Sequence, residues 1–466
     1  MDHMTDKLDL IRAATDSAIR YINGERDSRA VPSADAVLPS ELDGDYLAHP
    51  AQAATVMQLL AEAGDVGATR STGGRYFGFV TGGVEPVGLA ASTLASVWDQ
   101  NAALPVMSPI AARLDEIAAR WVVELLELPE ESVATFCSGA TVANLTGVIT
   151  GRDELLRRQG YDVRTRGLAG SPPIEVIVGE EIHASAVKAL WLAGFGDDQM
   201  IRVATDDCGR IRADQWPDTN GPTLVMLQAG NVNTGHSDPL ADIIGRLDRT
   251  RTWVHVDGAF GLWARVAPAR RGQVAGAELA DSWATDGHKW LNAPYDCGVV
   301  ICRDGAALAR AMSASAAYVA FDDGDRQSMN LGIQMSQAAR AIPVWAILAT
   351  LGREGLAQMV ERHCRQAARM SERLARADGV EILAPVVLNQ VLASFGDDAL
   401  TDAVIAAVQR DGTCWMGGTE WHGRRAMRIS VSDRTTTDAD IDISADAVLR
   451  AWDRLRPGLR LHDGEA

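Results

Sequence analysis

The chain has 466 residues, 47% of them hydrophobic and 23% charged, with a formal net charge of −18. The length calls for roughly two to four domains or lobes, and the composition is that of a globular protein. The charge argues against sequence-independent binding to nucleic acid or to an anionic membrane. No apolar run is long enough to span a bilayer. The opening stretch MDHMTDKLDL carries no signal-peptide pattern, so the expected location is the cytoplasm. The cysteines (137, 208, 297, 302, 364 and 414) form no CxxC pair. Neither a zinc site nor a disulfide framework is therefore expected, and the thiols should be reduced.

In chain order, the first 70 residues read as a helical arm split by VPSADAVLPSELDGD. Residues 109–128, PIAARLDEIAARWVVELLEL, have apolar residues at helical spacing behind a proline at the first helical position. Strands and helices then alternate. VATFCSG runs into ATVANLTGVITGRDELLRRQG, and EVIVGEE into HASAVKALWLAG; MIRVATD, TLVMLQAG, PLADIIGRLDRT, WVHVDGAF and CGVVICRD follow. Short β-rich runs between amphipathic helices predict an α/β fold whose mostly parallel central sheet carries helices on both faces. A long helical stretch from about residue 345 leads into VEILA, VLASF and AMRISVS and a final helix near 435–455, which predicts a smaller C-terminal α+β domain. The division is thus an arm over 1–70, a large domain over 71–345 and a small domain over 346–466.

Ligands of open α/β sheets sit at the carboxyl ends of strands, and five such ends carry suggestive residues. Ser138, Gly139, Ala140 and Thr141 feed a helix N-terminus, whose free N–H groups suit a phosphate; a capped strand-to-helix turn is the plain alternative. His183 sits at a second junction, where it stacks on a flat ligand or simply caps its helix. Asn231 follows TLVMLQ in an Asn/Gly loop, either facing a pocket or shaping the loop. Asp257 ends an apolar strand, where a carboxylate needs a cation or several N–H donors; capping the next helix is the alternative. His255 and Asp257 together hint at a metal, but further ligands are not evident nearby.

The fifth end is SWATDGHKWLNAPYDCGVV, where Asp286, His288 and Lys289 fall just before an apolar run. A half-buried lysine with a solvated head is the ordinary outcome. A lysine that loses its charge and forms an imine is the other. One ligand accounts for all five ends: a phosphate for the helix N-terminus, a flat ring for His183, a basic ring nitrogen for Asp257 and an aldehyde for Lys289. That ligand is pyridoxal 5′-phosphate (PLP).

In this order and spacing SGATVANL, EEIHASAVKAL, HVDGAFG and DGHKW resemble the group II PLP-dependent amino-acid decarboxylases, the family of the aromatic-amino-acid and glutamate decarboxylases. The resemblance runs from RYFGFVTGG (75–83) to MRISVSDRTTTDADID (427–442). It implies fold type I, the aspartate aminotransferase-like fold, and decarboxylation of an L-amino acid to an amine and carbon dioxide. Lys289 would hold the internal aldimine, Asp257 would pair with the ring nitrogen, and His183 would stack on the ring. Ala140, Thr141 and His288 would hold the phosphate, and Ala259 would pack under the ring. Asp286 stands where the family often has Asn. The resemblance also implies a homodimer with active sites at the subunit interface, WDQNAALPVMSP (98–109) being the segment lent to the partner, with Asn101 foremost.

Phe77 and Phe79, with Tyr76, Trp98 and Asn101, are the expected walls of the substrate pocket. Arg428 matches a family arginine, whereas Arg424 and Arg425 read as surface ion pairs. The family carries a loop tyrosine that returns the proton. Here the matching stretch, 312–345, has a Gly/Asp-rich middle that fits a lid, but no tyrosine between Val319 and Trp345; Tyr318 falls before the loop. This departure keeps three outcomes open: a decarboxylase with another proton donor, a decarboxylating aldehyde synthase or carbon–carbon lyase, and a non-catalytic relative acting as a binding subunit.

Overall fold

The computed structural model describes residues 3–24, 28–314 and 326–456. Its centre is a seven-stranded sheet. The strands are β1 (Val133–Cys137), β2 (Glu175–Gly179), β3 (Met200–Val203), β4 (Thr223–Gln228), β5 (Thr252–Asp257), β6 (Ser282–Asp286) and β7 (Gly298–Cys302), in the order β1-β7-β6-β5-β4-β2-β3. Only β7 runs antiparallel to its neighbours. The central strands are buried along their whole length, which is why they read as apolar runs without alternation.

The expected strands appear where they were placed. The stretch between Asp257 and Lys289 has room for one helix and one strand, and here the structure differs. It holds three short 3₁₀ turns (Gly261–Val266, Arg271–Val274 and Ala277–Leu279) before β6. PLADIIGRLDRT forms only the short helix Leu240–Ile244. The expected helix behind Pro109 runs Pro109–Leu125, capped by the Ser108 hydroxyl on the Ala111 N–H at 3.2 Å.

A second, antiparallel sheet follows, made of β8 (Val380–Ile382), β9 (Gln390–Phe395), β10 (Gly417–Trp421) and β11 (Arg424–Ser430), in the order β10-β11-β9-β8. Its hairpin partner β10 and the helix Asp398–Asp411 have no counterpart in the sequence reading. The two cores share one helix, Ala341–Leu374. Leu356, Met359 and Cys364 pack in the large core, whereas Ala367, Met370 and Leu374 pack in the small one. The helix breaks at Gly352, whose φ of 57° and ψ of −172° suit glycine.

Four tryptophans around the seven-stranded sheet are almost completely buried, and each indole N–H has an acceptor. Trp253 donates to Ser282 Oγ, Trp263 to the Asp286 carbonyl, Trp283 to the Ala277 carbonyl and Trp290 to His363 Nδ1. Trp263 and Trp290 thereby hold the two sides of the Asp286–Trp290 turn.

Candidate active site

The ends of β5 and β6 are tied together beyond their ladder, since the Gly258 N–H donates to the Ala284 carbonyl and the Asp286 N–H to the Ala259 carbonyl. This brings Asp257 and Asp286 to adjacent strand ends. Asp286 is 2% exposed. Its Oδ1 accepts the Ala140 N–H at 2.6 Å, and its Oδ2 lies 3.0 Å from Lys289 Nζ and 3.6 Å from His288 Nε2. The carboxylate thus links the helix N-terminus at Ala140 with the lysine. His288 Nδ1 accepts the Cys297 N–H at 3.1 Å, which leaves the ring proton on Nε2. Burial pushes the His288 pKa down from its ordinary value.

Asp257 is 5% exposed, and its partners are neutral. Oδ1 accepts the Ala259 N–H and Oδ2 the Asn144 amide, both at 3.1 Å. Among the described residues no cation forms an ion pair with it. His255 is not available to a metal, because both ring nitrogens are engaged, with Ser282 Oγ and Asn144 Oδ1.

His183 caps the helix Ala184–Leu192. Its Nδ1 accepts the Ser185 N–H at 3.2 Å, so the neutral ring carries its proton on Nε2. Burial is the largest influence on its pKa and lowers it; Asp257 and Asp286 oppose that, while Lys289 and Arg428 add to it. Arg428, on β11, is partly buried, and its guanidinium has no partner among the described residues. Arg424 and Arg425 instead pair with Glu381 and Asp402 near the surface.

Two aromatic clusters lie on nearby segments. Tyr76 stacks on Trp415 with centroids 4.9 Å apart, and Phe79, 61% exposed, lies 5.3 Å from the same indole. Tyr295 stacks on His288 at 4.3 Å. Trp415 and Tyr295 escaped the sequence reading. Trp415 lies far along the chain from RYFGF, and only the isolated bridge between Tyr76 and Trp415 brings the two segments together.

Several expected residues take other places. Phe77 is not a pocket wall: it is 1% exposed and packs in the core of the small sheet, because its backbone pairs with Trp415 and Ser430. Asn231 serves its own loop, Oδ1 accepting the N–H groups of Asn233 and Thr234. Trp98 ends the helix Pro86–Trp98 and is 44% exposed. Asn101 Oδ1 accepts the N–H groups of Ala103 and Gln337, and the residue lines a 750 Å³ cavity with Tyr295, Asp296 and Arg340. Ser138, Gly139 and Thr141 flank the helix N-terminus at Ala140, and Ala259, two residues after Asp257, donates its N–H to that carboxylate. Tyr318 and the middle of the expected lid lie outside the described residues. The chain beyond them is held by Arg326, 2.7 Å from Asp115.

The residues present fit pyridoxal phosphate. There is a helix N-terminus, an amine on a buried turn, and a buried carboxylate that lacks a cation of its own. A Cβ at Gly139 would sit 3.2 Å from His288 Cε1, so glycine keeps the helix N-terminus against the His288 ring. The one discord is Asp286, a carboxylate already at the N-terminus that the phosphate would use.

The family profile described as "Pyridoxal-dependent decarboxylase conserved domain" matches residues 41–395. An aromatic-L-amino-acid decarboxylase from Bacillus atrophaeus is 25% identical over 390 residues, covering 79% of each chain. An L-2,4-diaminobutyrate decarboxylase from Rhizobium meliloti is 27% identical over 373 residues, covering 75% of this chain and 72% of the relative. Among solved structures, Oryza sativa TDC with PLP and tryptamine superposes with a TM-score of 0.88 at 19% identity, covering 97% of this chain and 99% of that one. Mouse CSAD gives the same TM-score and coverage at 18% identity. With an amine, a cation-free carboxylate and a helix N-terminus set on this fold, the chain belongs to the pyridoxal-dependent decarboxylase family and is a PLP-dependent amino-acid carboxy-lyase.

Proposed function

We propose that the chain converts an aromatic L-amino acid to its amine and carbon dioxide, with Lys289 holding the cofactor. The observation that carries this reading is the meeting, at the ends of β5 and β6, of the Lys289 amine, the cation-free Asp257 and the helix N-terminus at Ala140. Pyridoxal phosphate, when bound, supplies a sink for the electron pair that the departing carboxylate leaves behind. Asp257 would face its ring nitrogen. Gly139, Ala140, Thr141 and His288 would face its phosphate.

Lys289 must shed a proton to act as a nucleophile, and Asp286 Oδ2 at 3.0 Å is within reach to accept it. Arg428 would take the substrate carboxylate, since its guanidinium is partly buried and unpaired. His183 holds a proton on Nε2 and is the donor for the substrate Cα. Tyr76, Phe79 and Trp415 offer flat apolar surface, which favours an aromatic side chain over an acidic one.

A second outcome is favoured by the absence of a tyrosine between Val319 and Trp345. Here the amino acid, dioxygen and water would give the aldehyde, carbon dioxide, ammonia and hydrogen peroxide. Mass spectrometry of aerobic incubations with aromatic, acidic and diamino acids, beside Lys289→Ala, separates the two. Amine from aromatic substrates supports the first reading and aldehyde with peroxide the second. Turnover of acidic or diamino acids alone overturns the substrate class. Lys289→Ala should be inactive in every case.

The working form is taken to be a cytoplasmic homodimer of an arm (1–70), a large domain (71–345) and a small domain (346–466). Leu8, Ile11, Ile19 and Ile22 on the first helix are 46–51% exposed, an apolar surface that a second copy would cover. Among the described residues no helix is long and apolar enough to cross a membrane. Light scattering of the full chain tests the dimer.

A further inference from the structure

Asp257 ends a line of buried side chains in which each contact has one consistent donor. Trp253 Nε1 donates to Ser282 Oγ at 2.9 Å, and Ser282 Oγ lies 2.8 Å from His255 Nδ1. His255 Nε2 lies 2.9 Å from Asn144 Oδ1, and Asn144 Nδ2 donates to Asp257 Oδ2 at 3.1 Å. Trp253, Ser282, His255 and Asn144 are at most 1% exposed.

The two ends fix the direction of the line. An indole N–H only donates, and a carboxylate only accepts. Asn144 therefore turns its amide nitrogen to Asp257 and its carbonyl to His255. His255 donates from Nε2, so its Nδ1 is free to accept the Ser282 hydroxyl, whose oxygen accepts from Trp253. A neutral imidazole with its proton on Nε2 satisfies every contact. Burial works the same way, pushing the His255 pKa down to about 4.

The backbone is shaped for this contact. Gly147 and Gly151 follow Asn144 on the helix Ala140–Arg158. A Cβ at Gly147 would lie 2.5 Å from the His255 ring, and one at Gly151 would meet the Trp253 indole. The two glycines let the helix settle onto β5 closely enough for Asn144 to reach both His255 and Asp257.

We infer that Asn144 and His255 are positioning residues, a neutral relay that presents Asp257 as a fixed acceptor to the ring nitrogen of the cofactor and keeps that nitrogen protonated. Donors on both oxygens fix the orientation of the Asp257 carboxylate, and without Asn144 its Oδ2 would lose the side chain that holds it. The inference rests on the cofactor reading above.

The test uses the holoenzyme loaded with PLP labelled with ¹⁵N in the ring, whose chemical shift reports protonation of that nitrogen. The wild type should show the protonated ring. Asn144→Leu, which loses one hydrogen bond to a charged group, should shift it toward neutral pyridine and weaken cofactor binding roughly tenfold, and His255→Phe, which leaves the Asn144 carbonyl without its donor, should shift it the same way. His255→Gln, whose amide nitrogen can still donate to Asn144, should behave as the wild type. An unchanged ring nitrogen in both disruptive variants overturns the inference.

Should those variants not fold, histidine ¹⁵N shifts of the wild type decide. Proton on Nε2 of His255 is expected, and proton on Nδ1, or an imidazolium at pH 7, overturns the relay. Failure of the cofactor reading would look different, because the wild-type protein would then take up no PLP.

Discussion

Asp257 and Asp286 close neighbouring strands, yet their surroundings are opposite. Asp286 has a lysine, a helix N-terminus and a histidine within reach. Among the described residues, Asp257 has hydrogen bonds only from an amide side chain and a backbone N–H. A buried carboxylate is costly unless its charge is answered. At the Asp286 end the protein supplies the answering charge itself. At the Asp257 end it supplies orientation and leaves the charge to the ligand. The contrast is what supports giving Asp257, rather than Asp286, to the cofactor's ring nitrogen in the proposal above.

Each end can be broken separately. Asp257→Asn keeps the shape and removes the charge, so single-turnover measurements should show the chemical step slowed roughly 10²–10³-fold, the scale of losing one preorganised electrostatic contact. Arg428→Gln should lower kcat/KM roughly 10–100-fold, as expected for one hydrogen bond to a charged group, while cofactor binding stays near the wild-type level. A matching loss of cofactor affinity would refute the assignment of Arg428 to the substrate.

Asp286→Asn should act in the opposite direction. It keeps an acceptor for the Ala140 N–H and removes a negative charge from the helix N-terminus, so PLP should bind roughly tenfold tighter by equilibrium dialysis, about one close charge contact in a partly shielded site. Weaker binding would mean that Asp286 helps the phosphate rather than competes with it.

The smallest effect lies behind Lys289, where Trp290 donates to His363 Nδ1 at 3.0 Å. Burial pushes the His363 pKa down to about 3, below the ordinary value near 6.5. Between these values the unfolded chain binds a proton that the native state refuses, so this histidine makes stability rise with pH. His363→Phe lacks that dependence. From pH 6 to pH 5 the wild type should lose roughly 1 kcal/mol that the variant keeps. Urea unfolding of both proteins at the two pH values checks it, and a constant gap would count against a neutral buried His363.

Sequence by itself determined the parts of this protein whose signals are local. Apolar runs in alternation with amphipathic helices gave the parallel sheet. The polar residues breaking the ends of those runs gave Lys289, Asp257, Asp286 and His183, since a strand end in such a sheet is where ligands bind. Weakly patterned elements were missed: β10, GGTEW, has two glycines and little apolar alternation.

The tertiary structure decided which side chains meet. Asn144 stands within a helix and reads as a polar position, and only the packing of that helix on β5 brings it to Asp257, 113 residues away. Phe77 reads as a pocket wall because it is aromatic and near the family motif, but backbone pairing with Trp415 and Ser430 turns it into the small core. Arg424 and Arg425 read as surface ion pairs, but their partners, Glu381 and Asp402, are set only by the fold. The physical reason is common to all three. Local pattern sets where a residue lies on its element, whereas partners, burial and protonation are set by contacts between elements distant in the chain.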